Sequence, residues 1–109
     1  MISGPYRHGT TTEDERQQNL KLMNEYALKV LKMGHVPVIG VNLALPIIKM
    51  NNASYDDIMM PLSLGLAKRC DAVLRIGGES KGADDEMHTF KLRDLPIYRS
   101  LEDIPPPRS

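Results

Sequence analysis

From Leu20 to Met33 the apolar residues Leu20, Met23, Tyr26, Ala27, Val30, Leu31 and Met33 recur mostly at three- and four-residue steps. That period paints one face of a helix and predicts it over about Glu13 to Met33. Thr10 to Thr12 supply hydroxyls for its start, Thr12-Glu13-Asp14-Glu15 has the spacing of a capping box, and Gly34 ends it. Elsewhere the apolar residues come in short runs. Met1-Ile2-Ser3 reads as the end of a strand broken by Gly4-Pro5, and the loop that follows runs through Arg7, His8 and Gly9. His35 to Val41 reads as a buried strand, with Pro37 at an edge or at the strand's beginning. Asn42 to Ala53 shows no clear period and is expected to be a loop with room for one helical turn. Tyr55 to Arg69 reads as a second helix in which Pro61 requires a late start or a kink. Asp71 to Ile76 is expected to be the central strand, Ala83 to Arg93 a third helix, and Pro96-Ile97-Tyr98 a last strand.

Strands that alternate with helices predict an α/β domain whose parallel sheet, of about four or five strands, is covered on both faces. Ligands of such sheets lie at the carboxyl ends of the strands, where the loops after Ser3 and after Ile76 would both emerge. The domain is expected over residues 1–104, with 105–109 a proline-rich tail that can continue neither helix nor strand. No internal repeat is present.

Composition narrows the partners. The 109 residues suit one domain with a single core, and fourteen basic residues balance fourteen acidic ones. The balance leaves none of the positive footprint that nucleic-acid binding requires. No apolar run approaches a membrane span and the first residues lack the order of a signal peptide, so neither a membrane nor export is expected. Cys70 stands alone and fits a reducing, cytoplasmic setting. The expected partner is a small molecule or a second copy of the chain. His8, His35 and His88 are scattered, so no metal site is expected. The seven methionines read as core filler before they read as an adaptable interface.

The segment Gly77-Gly78-Glu79-Ser80-Lys81-Gly82-Ala83-Asp84-Asp85-Glu86 carries the chemistry, because it joins a strand to a helix. Glycines allow close backbone approach, Ser80 offers a hydroxyl, and a helix N-terminus presents unpaired N–H groups, a combination suited to phosphate. It is not a Walker loop, since no Gly-Lys-Ser/Thr follows, and its glycine spacing differs from the dinucleotide fingerprint. Glu86 is expected near the first turn, where the helix dipole lowers a carboxylate's pKa and favours a nucleophile over a general acid. The same three acids, Asp84, Asp85 and Glu86, are also what an ordinary exposed helix start carries.

Taken in order, Ile2-Ser3-Gly4-Pro5-Tyr6, Gly34-His35, Cys70-Asp71-Ala72-Val73 and Ser80-x-Gly82-x-x-x-Glu86 resemble the nucleoside 2-deoxyribosyltransferase-like superfamily over nearly the whole chain, closest to its short bacterial and phage members. The resemblance implies a flavodoxin/Rossmann-like, three-layer fold and no cofactor. It implies that Glu86 attacks the anomeric carbon of a nucleoside or nucleoside monophosphate while the base departs, and that water or a second base then takes the sugar. It further implies that Ser80 binds a 5′-hydroxyl or phosphate, and that Ser3, Gly4, Tyr6, Arg7, Gly78 and Gly82 line the ligand. The relatives are homo-oligomers, so a dimer or tetramer is expected. Two positions depart from the pattern: Ser63 occupies the place of the family's second acid, with Asp56 or Asp57 as substitutes, and Met1 occupies the place of the tyrosine that holds the nucleophile. The alternatives are a relative that binds nucleotide without cleaving it and a phosphoribohydrolase of the cytokinin-activating type, whose turn is shorter and followed by threonine.

Overall fold

Three short parallel strands, β1 (Ile2–Ser3), β2 (Val73–Arg75) and β3 (Ile97–Tyr98), form a sheet in the order β1-β2-β3, with β2 at its centre as the sequence predicts. The computed structural model describes residues 1–51 and 54–107. Ile2 pairs with Leu74 and Ser3 with Arg75; Val73 and Leu74 pair with Ile97 and Tyr98. Side chains of successive strand residues point to opposite faces, which divides the core in two. Ile2, Leu74 and Ile76 pack with Met23 and Val30 of α1 (Glu13–Lys32). Met1 and Val73 pack with Met87 and Phe90 of α4 (Lys81–Leu92). Ser3 and Arg75 share the α4 side by the same alternation, and both are buried.

The predicted boundaries of α1 hold because its ends are chemically marked. The Glu15 amide donates to Thr12 Oγ1 at 3.1 Å, and the returning arm of the box runs from the Thr11 amide, not that of Thr12, to Glu15 Oε2 at 3.1 Å. At the other end Gly34 takes a positive φ of 97°, which a glycine adopts without steric cost.

Two expectations fail between Gly34 and Ala53. Residues 35–39 run extended beside β1, where the Ile2 amide donates to the Val38 carbonyl at 2.8 Å, but Pro37 lacks an amide and no ladder forms. The sheet therefore has three strands among the described residues instead of four or five. The expected loop at Asn42–Ala53 is a helix, α2 (Gly40–Asn51), and only its last two positions lie outside the described residues. Val41, Ala44, Leu45 and Ile48 stand at i, i+3, i+4 and i+7 and turn into the core, so the helical period was present and Pro46 with its neighbouring amides masked it. The next helix, α3 (Tyr55–Ala67), contains Pro61 without a break in assignment and packs on both α2 and α4. A short 3-10 turn, Leu101–Asp103, follows β3, and Ile104 to Pro107 lies across the far end, where the Pro105 carbonyl is 2.8 Å from His35 Nε2. No helix among the described residues is long and apolar enough to cross a membrane.

Candidate functional site

At the carboxyl end of β1 a cavity of about 470 Å³ opens between the first loop and the starts of three helices. Ile39, Gly40 and Val41 bring the start of α2 to its wall; Tyr55 and Asp56 bring that of α3, and Lys81, Gly82 and Ala83 that of α4. Sequence reasoning anticipated only the last. The positive ends of three helices thus line one space, together with Arg7 and Lys81 and with the carboxyl-bearing Asp56, Asp85 and Glu86.

The loops that frame the cavity fit closely. A Cβ on Gly4 would stand 2.9 Å from the Ile76 carbonyl oxygen, and one on Gly77, whose φ is +76°, would stand 2.8 Å from Pro5 Cδ. Neither position has room for a side chain, so the two glycines let the β1 and β2 loops touch. The Asn19 amide nitrogen donates to the Tyr6 carbonyl at 2.9 Å and ties the first loop to α1.

Of the candidate site residues, Ser3, Gly4, Tyr6, Arg7, Ser80, Gly82 and Glu86 all line this cavity. Gly78 does not: it is exposed, and its carbonyl accepts from Arg75 Nη2 at 2.7 Å instead. Ser80 caps α4, accepting from the Ala83 amide at 3.2 Å, which leaves its hydroxyl proton available to a ligand. Of the two acids considered as substitutes for the family's second carboxylate, Asp56 is on the wall and Asp57 is not.

Glu86 departs from expectation in place and in charge. It stands in the second turn of α4, is 8% exposed while Asp84 and Asp85 face solvent, and its Oε1 accepts from Ser3 Oγ at 2.7 Å. The dipole was expected to lower its pKa; burial instead raises it to about 7, against the opposing pull of the Ser3 hydrogen bond and the Arg75 charge. The dipole effect fades within the first turn, whereas desolvation acts on the whole carboxyl group. Ser3, two residues beyond Met1 and therefore on the same face of the strand, is the residue that holds the glutamate. The period-2 rule was the signal for it.

Tyr55 was missed. It lines the cavity beside Tyr6, the rings nearly parallel at 11° with centroids 6.3 Å apart, and the Arg7 guanidinium lies 4.2 Å from the Tyr55 ring centroid. Burial pushes the Tyr55 phenol up to about 12, so it stays protonated as a hydrogen-bond donor. No signal beyond its place at a helix start would have identified it.

Ser63 is buried on the wall, and among the described residues its hydroxyl donates to the Met59 sulfur, at 3.8 Å. A Cβ on Gly40 would stand 2.2 Å from Ser63 Oγ, so α2 and α3 approach closely here and the serine faces a glycine.

Among the described residues no group of histidine, cysteine, aspartate and glutamate could hold a metal ion. No family model, curated protein or solved structure matches the chain.

Ser3→Ala tests the role of Ser3. The hydrogen bond favours the ionised carboxyl, so its loss moves the Glu86 pKa above 7. With a hydrogen bond to a charged group contributing about 1.5–3 kcal/mol, the displacement should be about one unit or more. An NMR titration of the Glu86 carboxyl that leaves the midpoint unchanged would show that Ser3 does not tune it.

Proposed function

We propose that the cavity binds a nucleoside or, better, a nucleoside monophosphate, and that Glu86 cleaves its N-glycosidic bond. One observation carries the reading: a buried carboxyl, oriented by a hydroxyl, lines a cavity to which three helix starts, Arg7 and Lys81 also contribute. Because Ser3 occupies Oε1, attack on the anomeric carbon falls to Oε2. The new C–O bond forms as the C–N bond breaks, and the nitrogen of the base keeps the electron pair. The base leaves as it gains a proton, a role we assign to Asp56 on the wall; water or a second base then displaces Glu86. A nucleophile must be ionised, so base release should climb as pH rises toward about 7.

A monophosphate should bind more tightly than its nucleoside by about 1.5–3 kcal/mol, the gain from hydrogen bonds to a charged group. Calorimetry with matched pairs reads this directly. Equal affinities would place the three helix ends outside ligand recognition. The deciding experiment for the function as a whole is a screen of nucleosides and monophosphates for free base. Release from none, despite measurable binding, would leave the second reading, a protein that holds nucleotide without cleaving it. Ser63 in place of the second acid favours that reading.

The reading keeps a flavodoxin/Rossmann-like ancestry for the three-stranded sheet, with residues 35–39 as a fourth strand reduced to one hydrogen bond. It also keeps a cytoplasmic setting, where free nucleotides are found, and a homo-oligomer. Leu28 and Leu31 on α1 and Leu43 and Met50 on α2 are exposed apolar side chains that association of copies would cover. Light scattering is expected to return a dimer or tetramer; the mass of one 12.2 kDa chain at micromolar concentration would contradict it.

A further inference from the structure

Arg75 is the least expected residue of the core. It lies in the central strand, 6% exposed, where alternation gives it the same face of the sheet as Ser3, its register partner. A buried guanidinium is costly unless its donors are satisfied and its charge is answered. Its fork is turned on the loop that follows: Nη1 donates to the Ile76 carbonyl and Nη2 to the Gly78 carbonyl at 2.7 Å. The ion pair it makes is long, 3.8 Å to Asp84, a side chain that is 72% exposed, and its Nε has no partner among the described residues. Packing alone does not call for a charge here, and the turn alone needs only donors.

We propose that Arg75 is a positioning residue of the Glu86 site, its planar fork fixing the Gly77-Gly78 turn that leads into the Ser80 cap and its buried charge acting through space on the Glu86 carboxyl. The inference rests on the reading of the cavity as a nucleotide site, but it makes claims that hold without turnover. Two carbonyls drawn to one guanidinium fix the turn's backbone, and with it the approach to the start of α4. The charge offsets part of the burial that keeps the Glu86 proton bound. The other groups facing Glu86 are Ser3 and the Met1 ammonium from the β1 side, Tyr55 from α3 and Asp85 on its own helix. Of the two cations, only Arg75 is also bonded to the turn.

The test is an NMR titration of the Glu86 carboxyl in the full chain without ligand, together with binding of inorganic phosphate, in Arg75→Met and Arg75→Lys. Removing the cation should raise the Glu86 midpoint by about one unit or more in Arg75→Met, the usual effect of one nearby charge. Arg75→Lys keeps the charge and loses the fork, so its midpoint should stay near the parent's while phosphate binding weakens about tenfold, as it should in Arg75→Met. A merely structural arginine would lower the melting temperature of both variants and move neither reading. An unmoved midpoint in folded Arg75→Met overturns the proposal. If Arg75→Met does not fold, Arg75→Lys decides: parent-like titration with weakened phosphate binding upholds it, and unchanged phosphate binding or loss of the fold overturns it. If the midpoint moves while the parent releases no base from any nucleotide, the glycosidase reading fails and this inference stands.

Discussion

Glu86→Gln should be more stable than the parent at pH 8 while losing base release. Folding holds the Glu86 proton up to about pH 7, whereas the unfolded chain releases it near 4.5. The stability that goes with a neutral Glu86 is therefore complete below about 4.5, declines as pH rises from there to about 7, and is gone above it. Over that window the loss is about 3 kcal/mol, discounted little for solvent because the group is buried. Glutamine keeps the shape, accepts the Ser3 hydrogen bond through its amide oxygen, and cannot ionise. Its advantage in urea melts should thus be small at pH 4.5 and grow to its full size by pH 8. Holding an ionisable group where it costs stability is common at functional sites. Equal stability of the two proteins at every pH would mean that Glu86 is not desolvated.

The second large effect is structural. Phe90 is completely buried, one turn beyond Glu86 on the same helix, and with Met87 it fixes α4 to Val73, Ala67 and Met1. Phe90→Ala should cost about 3–5 kcal/mol, which a domain of ordinary stability can scarcely survive. Leu92, two residues on and 74% exposed, is the control, and Leu92→Ala should change stability by about 0.5 kcal/mol or less. Similar losses in the two variants would mean that α4 is not held through Phe90. The contrast matters to the site because the backbone of α4 positions both Ser80 and Glu86.

Much of this arrangement was readable from residue types. Thr12 with Glu15 and Gly34 are local signals, and each sets an end of α1 where expected, whereas Ser80 caps α4 and starts it two residues before the expected Ala83. The crossover loop and the first loop, which form part of the cavity wall, followed from strand–helix alternation; the parts supplied by α2 and α3 did not. What escaped depends on three dimensions. Residues 35–41 have strand-like composition, but a ladder needs donors that Pro37 cannot supply, and Gly40-Val41 already belong to α2. The charge of Glu86 was misjudged because sequence reveals its nearness to a helix start and not its burial, and burial is the stronger effect. Gly78 looked like a ligand contact because glycines often are; its carbonyl is instead held by Arg75, whose inward direction only the strand register reveals.

As a nucleophile Glu86 becomes covalently attached to the sugar during cleavage. The most direct test is mass spectrometry of the intact protein quenched during turnover of a nucleoside monophosphate, with the modified peptide located by fragmentation. A glycosyl adduct is expected on the peptide containing Glu86 and should be absent in Glu86→Gln. Base released at full rate by Glu86→Gln, or an adduct on another residue, would contradict it.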